Sequence, residues 1–211
     1  MIAMRWIVGL TIAATAVACT SGPPPPADAR PYDDEIRTWR SDKDAMFRTD
    51  RESPLLPPDR ATFTGLPYYG IDPAYRVPAL LTREETAKPV IIQLQTSDGD
   101  FDSMQRVGSL GFTLNGAAVK LTAFAKVGES VDRLFVPFGD QTNGSETYKG
   151  GRYLDLSRTP TGLYDLDFNR AYHPFCVYNI NFVCPVPPPE NRLEVAIRAG
   201  ERLPPPRTLP E

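Results

Sequence analysis

Turn-forming residues limit how far a helix or strand of this chain can run. The 211 residues include 23 prolines and 15 glycines, together with 10 phenylalanines and 9 tyrosines. Proline fixes the backbone and cannot donate a main-chain hydrogen bond, whereas aromatic side chains suit the pleated surface of a sheet. This mixture favours turns and short strands over long helices.

One segment, residues 34–48, is predicted to be helical. Asp33 is a suitable N-cap for it, and acidic residues in a first turn suit the positive end of a helix. The prolines at 54, 57 and 58 are expected to end helical structure. Its apolar residues recur at the spacing of one helix face: Ile36, Trp39, Met46 and Phe47. We therefore expect one N-terminal amphipathic helix.

Beyond the helix, the pattern is that of short strands. The pair Asn115-Gly116 lies between the strand-like runs 112–114 and 117–127, and such a pair is the strongest short signal for a hairpin. Further short strands are predicted at 90–95, 133–138, 152–156, 163–168 and 192–197. The predicted fold is mainly β, a single antiparallel barrel- or sandwich-like domain with the helix across one end or face.

The first 18 residues have the features of a lipoprotein export signal. Arg5 supplies a positive start, residues 6–17 form a short apolar core, and Ala16-Val17-Ala18 places small residues before Cys19. A core of about 12 residues is shorter than the roughly 20 that a membrane-spanning helix needs. We expect cleavage before Cys19 and lipidation of its thiol, which anchors the protein to the membrane. A plain secretory signal cut after Ala18 is the alternative.

These features predict the organisation and location of the chain. The predicted parts are a signal peptide at 1–18, a proline-rich linker at 19–32, a single mainly-β domain at 33–203 and a proline-rich tail at 204–211. The protein is expected to be exported and anchored to the cell envelope on the periplasmic side. Thr20 favours the outer membrane of a Gram-negative cell. The net charge of −3 argues against a nucleic-acid partner.

The region from Phe135 to Glu201 carries a dense set of polar and aromatic motifs. They are Phe138 with Asp140-Gln141-Thr142, Glu146-Thr147-Tyr148, Gly151-Arg152-Tyr153, Asp167-Phe168-Asn169, Ala171-Tyr172, Cys176, Tyr178-Asn179, Cys184-Pro185 and 188–191. With these motifs, residues 34–202 resemble the uncharacterised bacterial family called domain of unknown function 1684 (DUF1684). The resemblance implies no known activity. The resemblance agrees with the lipoprotein signal before Cys19, because many members of the family are lipoproteins. It argues against His173 as an essential catalyst, because this position varies in the family.

Three interpretations of the polar motifs compete. In the first, they form a buried network, in which Asp140 and Asn143 bond the backbone and Arg152 pairs with Glu146 or Asp167. The second is a cleft where Arg152 meets an anionic group between tyrosines. In the third, a carboxyl group at 140, 146 or 167 acts as acid or base. The candidate ligand-binding residues are Asp140, Thr142, Glu146, Tyr148, Arg152, Tyr153, Asp167, Asn169, Tyr172 and Asn191.

Cys176 and Cys184 are separated by only seven residues. In an oxidising compartment two nearby thiols usually pair, and a hairpin turning near Ile180 would place them opposite each other. Unpaired buried thiols are one alternative. A metal site with His173 is another, although the spacing matches no common zinc pattern. We predict a disulfide and no metal.

The predicted function is that of an envelope lipoprotein that binds a small anionic or polar ligand, or a partner, without performing chemistry. The sequence contains no recognised catalytic motif that would favour an enzyme, and no cofactor is predicted. One alternative is a hydrolase of a small polar or phosphorylated substrate that uses the carboxyl groups above. A second is a small barrel that binds flavin or another phosphate-bearing group, with Gly150-Gly151-Arg152 near the phosphate.

Overall fold

The computed structural model of the protein describes residues 31–203. The predicted signal peptide, the lipidated Cys19, nearly all of the linker and the predicted tail at 204–211 lie outside these residues. Over the described part, the chain forms a mainly antiparallel β structure with one long helix, as predicted. No helix between residues 31 and 203 is both long and apolar enough to cross a membrane.

Helix α1 spans Tyr32–Thr49 and buries Ile36 and Phe47. It begins earlier than predicted, because the N–H groups of Asp34 and Glu35 both donate to the carbonyl of Pro31. Pro31 is therefore the N-cap, and the expected cap Asp33 lies in the acidic first turn.

A second, short helix was not expected. Helix α2 spans Pro57–Thr62 and has no buried residue. Helix α1 does end before the three prolines that were predicted to end helical structure, but two of them, Pro57 and Pro58, begin α2. Proline is tolerated at the first helical positions, where its missing N–H would have no partner in any case.

Seven strands form one sheet with the order β6-β5-β4-β3-β1-β7, and β2 pairs with β3 outside this path. An isolated bridge between Arg158 and Tyr164 joins β6 to β7, so the two ends of the sheet meet and the barrel is nearly closed. The strands are β1 (Arg76–Arg83), β2 (Val90–Gln95), β3 (Phe101–Leu114), β4 (Ala117–Lys126), β5 (Arg133–Phe138), β6 (Arg152–Ser157) and β7 (Tyr164–Asp167).

The hairpin between β3 and β4 is confirmed. Asn115 and Gly116 have φ angles of +50° and +81°, which the two-residue turn requires and which these residue types tolerate. The pairing that follows is regular from Leu114↔Ala117 back to Gly108↔Ala123. It directs alternate residues of β4 into the main core.

That core lies on one face of the curved sheet, where large side chains of successive strands meet. Its fully buried members include Leu110, Leu121, Val136, Phe138, Leu154 and Leu166. A smaller cluster on the other face consists of Leu94, Met104 and Phe124.

Two sequence predictions within residues 168–197 are wrong. The segment predicted as a strand at 192–197 makes only one bridge, between Arg192 and Gly139, and is otherwise a loop. The hairpin expected near Ile180 is absent from the described chain. A 3-10 helix at Phe175–Val177 and turns occupy its place. Ile180 and Val183, which the expected hairpin would contain, are exposed rather than packed in the core.

Candidate functional site

The polar motifs place a fully buried ion pair beside the main core. Arg152 Nη2 donates to Asp140 Oδ2 at 2.9 Å, and neither side chain is exposed. The same guanidinium donates to the carbonyls of Ile197, Ala199 and Glu201. Its Nε is buried without a hydrogen-bond partner. The predicted partners of Arg152, Glu146 and Asp167, were wrong: Arg152 pairs with Asp140 and ties strand β6 to the turn at 197–201.

Asp140 also organises the loop that follows β5. Its Oδ1 accepts from the N–H and the hydroxyl of Thr142, at 2.8 and 2.6 Å. Asn143 Oδ1 accepts from the N–H of Asp140, and its amide group donates to the Thr147 hydroxyl. Thr142 and Thr147 are fully buried. These bonds agree with the predicted network of turn contacts.

A second buried charge lies where α1 meets the barrel. Lys43 Nζ approaches Glu201 Oε1 to 2.5 Å, and Glu201 Oε2 accepts from the N–H of His173 and from the Tyr178 hydroxyl. His173 Nε2 accepts from the N–H of Tyr148 at 3.2 Å, so this nitrogen carries no proton. Burial and the nearby cations Arg152 and Lys43 lower the pKa of His173 to about 3, although Glu201 Oε2 lies 3.7 Å from its Nδ1.

Asp167 and Asn169 fasten the start of α1 to the barrel. The Tyr32 hydroxyl donates to Asp167 Oδ1 at 2.8 Å and accepts from the amide of Asn169. Asn169 also bonds the N–H and the carbonyl of Asp72. Arg170 pairs with Asp167. Both predicted site residues are buried and serve this attachment.

Asn191 completes the sheet between β4 and β5. These strands share only the pair Phe124↔Phe135, and the buried Asn191 side chain bonds the main chain beyond it. Its amide donates to the carbonyls of Thr122 and Pro137, and its Oδ1 accepts from the N–H of Thr122. The side chain therefore replaces a missing strand partner.

Two of the three further predicted residues, Tyr153 and Tyr172, are neighbours: their main chains exchange two hydrogen bonds, and their rings meet edge to face with centroids 5.7 Å apart. Tyr153 donates to the Pro185 carbonyl, and Tyr172 donates to Asp155 Oδ2 at 2.7 Å. Glu146 lies near the surface, where Arg198 donates to both of its oxygens. The Arg198 contacts lower the pKa of Glu146.

An open cleft of about 410 Å³ lies between the turn after β2, residues 148–150 and the segment that follows Pro174. Main-chain bonds hold its walls together, since Ser97 N donates to the Cys184 carbonyl and Val186 N donates to the Gln95 carbonyl. The cleft is lined by Gln95, Thr96, Ser97, Gly99, Tyr148, Lys149, Gly150, Pro174, Cys176, Cys184, Val186 and Arg192.

The lining of this cleft carries positive charge and no carboxylate. Lys149 and Arg192 are both exposed. Among residues 31–203, neither is hydrogen-bonded or ion-paired to a carboxyl group. Ser97 and Tyr148 add hydroxyl groups to the lining. This composition suits a small anion.

Both cysteines of the described chain reach the cleft as free thiols. Cys176 N donates to Cys184 Sγ at 3.2 Å, and the two thiols hydrogen-bond to each other. That bond, with others from Ser97 and Tyr148, lowers the pKa of Cys176 to about 7. The bond to Cys176 and burial raise the pKa of Cys184. The predicted disulfide stays a prediction.

Of the ten predicted ligand-binding residues, only Tyr148 lines the cleft. The others fall into the separate networks above. Sequence reasoning did not select the cations Lys149 and Arg192 or the hydroxyl of Ser97. Tyr148 and the closely spaced cysteines, which were interpreted as a disulfide, are the predicted residues that lie here. No group of three or more His, Cys, Asp or Glu side chains within the described residues is placed to hold a metal ion.

Comparison with known proteins identifies the family but no activity. The model of a family described as a protein of unknown function, DUF1684, matches residues 61–202. The chain is also similar to an uncharacterized protein of Haloarcula marismortui solved by NMR, with 42% identity and a TM-score of 0.64. That similarity covers 81% of this chain and 93% of the other. No curated protein matches significantly.

Proposed function

The chain belongs to the DUF1684 family, and we propose that it is a binding domain that takes a small anionic ligand in the cleft beside Cys176 and turns over no substrate. The observation that carries this proposal is the cleft lining itself. Lys149 and Arg192 both line the cleft, and no carboxylate lines the same space.

The ion pairs of the three candidate carboxyl groups support ligand binding over acid–base catalysis. Asp140 is paired with Arg152, Glu146 with Arg198 and Asp167 with Arg170. An acid or base needs a pKa near the working pH and access to a substrate. Each of the three carboxylates is instead held by an arginine side chain, and Asp140 and Asp167 are buried as well.

The charge arrangement supports an anion as the ligand. An exposed lysine or arginine with no carboxylate partner keeps its donors free for a ligand oxygen. A guanidinium can bind a carboxylate or phosphate with two hydrogen bonds, and the lysine adds a point charge. The ligand class is therefore defined by this chemistry, a small carboxylate or phosphate compound.

For the location, we propose a lipid anchor at Cys19 that holds the protein on the periplasmic side of the envelope, in the outer membrane where the cell has one. The order of charged, apolar and small residues before Cys19 supports it. Intact mass analysis of the protein from its own cells tests this. Acyl groups on Cys19 and loss of residues 1–18 are expected, and an unprocessed, unacylated chain would contradict the anchor.

Binding is tested in two steps with the protein purified from its own envelope. Native mass spectrometry searches for a small molecule that stays bound. Calorimetry then measures affinity for inorganic phosphate and for citrate, as a phosphate and a carboxylate probe. Replacement of both Lys149 and Arg192 by alanine is expected to weaken binding of the better probe about tenfold or more, since each charge-assisted contact is worth about 1.5 kcal/mol.

Lys120→Ala is the matched control, because Lys120 is an exposed lysine on β4 that does not line the cleft. It changes the net charge in the same direction as one cleft substitution and is expected to leave affinity within about twofold. If Lys120→Ala weakened anion binding as much as the cleft substitutions do, the anion would be attracted only by the overall charge of the protein. That result, or the absence of any retained or added anion, would overturn the proposed function.

A further inference from the structure

The two thiols of the cleft differ sharply in exposure and surroundings. Cys176 is partly exposed and lines the cleft, whereas Cys184 is 6% exposed. Cys184 Sγ accepts from the N–H of Cys176, and the N–H of Cys184 donates to the Ser97 hydroxyl. The pair is therefore held in contact by the main chain on both sides, with one sulfur open to an incoming molecule.

The surroundings also separate the chemistry of the two sulfurs. The Cys184 thiol, followed by the hydroxyl groups of Ser97 and Tyr148, lowers the pKa of Cys176, which favours a thiolate there. The neighbouring sulfur raises the pKa of Cys184, so this thiol keeps its proton. A thiolate beside a protonated, buried thiol is the arrangement in which the first attacks a disulfide and the second resolves the product.

We propose that Cys176 and Cys184 form a thiol–disulfide exchange site for a small disulfide that carries carboxylate groups. The substrate class rests on the anion-binding function proposed above. Lys149 and Arg192 bind the carboxylates, and the open side of Cys176 faces the disulfide bond. The exchange uses one equivalent of disulfide for each protein molecule.

Each step balances. The Cys176 thiolate attacks one sulfur of the small disulfide; a mixed disulfide forms on Cys176, the disulfide bond of the ligand breaks and the first small thiol leaves. Cys184 then gives up its proton and attacks the Cys176 sulfur, which forms the Cys176–Cys184 bond and releases the second small thiol. The protein thereby loses two electrons and the Cys184 proton. One small product is released as a thiol with that proton, and the other leaves as a thiolate that takes its proton from the solvent.

Oxidised glutathione is the probe, because it is a small disulfide with several carboxylates. The full chain is reduced, freed of reductant and mixed with the probe, and peptide mapping by mass spectrometry follows Cys176 and Cys184 separately from Cys19. The wild type is expected to lose two hydrogens and gain a Cys176–Cys184 link. Cys184→Ser is expected to stop at one glutathionyl group on Cys176. Cys184→Ala repeats the trap should the serine variant fail to fold.

Cystamine, a small disulfide with amines and no carboxylate, tests the substrate class. Replacement of both Lys149 and Arg192 by alanine is expected to slow the reaction of Cys176 with oxidised glutathione about tenfold and to change the rate of its reaction with cystamine less than about twofold.

Two results would overturn the exchange site. One is a first attack by Cys184; the other is a reaction of Cys176 with oxidised glutathione that is no faster in the folded protein than in the urea-unfolded chain. If the protein binds phosphate or citrate tightly but Cys176 is unreactive in this way, the exchange site is overturned and the proposed anion binding is not. Equal slowing with both probes would overturn the carboxylate class.

Discussion

Arg152 and Asp140 form an ion pair at 2.9 Å in which neither side chain is exposed to solvent. Isolated buried charges are strongly unfavourable, and a pair is tolerated only when its remaining donors and acceptors are also bonded. Here the carbonyls at 197, 199 and 201 and the N–H of Thr142 supply most of those bonds, and Arg152 Nε is the one nitrogen of the guanidinium without a partner. The pair therefore joins strand β6, the loop after β5 and the last turn of the described chain.

Asp140→Ala is expected to lower the free energy of unfolding by about 3–5 kcal/mol, because it leaves the Arg152 charge buried without its counterion. Urea denaturation followed by circular dichroism measures the change. Asp165→Ala is the matched control, since Asp165 pairs with Arg76 with both side chains about two-fifths exposed. The control is expected to cost less than about 1 kcal/mol. Similar costs at both positions would contradict the structural role of the buried pair.

Local patterns of the sequence were sufficient to predict most of the sheet. The turn at Asn115-Gly116 and the alternation in β4 depend on neighbouring residues only, and both were predicted correctly. β1 was missed, since Pro78 interrupts its pattern and its exposed residues include Leu80. The strand predicted at 192–197 has a suitable composition, but the Asn191 side chain already occupies the edge of β4.

Long-range contacts explain why the site was predicted only in part. The turn around Asp140 follows from residues within the next seven positions, and this part of the network was anticipated. The choice of Asp140 over Glu146 as partner of Arg152 depends on how β6 packs against the loop after β5. The meeting of Ser97 with Cys184 joins positions 87 residues apart. No local pattern encodes such contacts; the closely spaced cysteines were interpreted as a disulfide, and the cleft that they line was not predicted from them.

His173 is expected to make the protein less stable in mild acid. Its pKa is about 3 when folded and about 6.5 ordinarily, so between these values the unfolded chain binds a proton that the folded protein does not. Stability is therefore fully present above about pH 6.5 and falls with pH down to about 3. Between about pH 7 and pH 5, the contribution lost is about 2 kcal/mol.

The measurement compares urea unfolding of the wild type and of His173→Gln at these two pH values. Glutamine keeps a hydrogen-bond acceptor for the N–H of Tyr148 but does not titrate. Other titrating groups affect both proteins alike, so the extra loss in the wild type isolates the histidine. Parallel losses in the two proteins would mean that His173 titrates normally in the folded state.

Gly200→Ala is expected to destabilise the protein by about 2–4 kcal/mol. Gly200 has a φ of +78°, and an added Cβ would lie 2.5 Å from the Ala171 carbonyl oxygen and 2.7 Å from that of Phe168. The turn that presents carbonyls to Arg152 would have to shift. Gly70→Ala is the control, because Gly70 has no positive φ and its added Cβ would meet nothing within 4 Å. Thermal unfolding of both variants at one pH decides the matter, and a stable Gly200→Ala variant would contradict the tight turn.

The alkylation of Cys176 by iodoacetamide is expected to rise with pH around a midpoint near 7, well below the ordinary thiol value of 9. The hydrogen bond from Cys184 is the largest cause, followed among hydroxyls by Ser97 and Tyr148, while the cations Lys149 and Arg192 line the same cleft. Tyr148→Phe removes one donor to the thiolate and is therefore expected to move the midpoint upward, and Cys184→Ala is expected to move it further.

Tyr172→Phe provides the comparison for this profile, because its hydroxyl donates to Asp155 and does not reach the cleft. Its alkylation midpoint is expected to equal that of the wild type. Peptide mapping assigns the label to Cys176, since Cys19 and Cys184 are the only other cysteines of the chain. A midpoint near 9 in the wild type, or the same midpoint in all four proteins, would show that the cleft does not activate Cys176 through these hydrogen bonds.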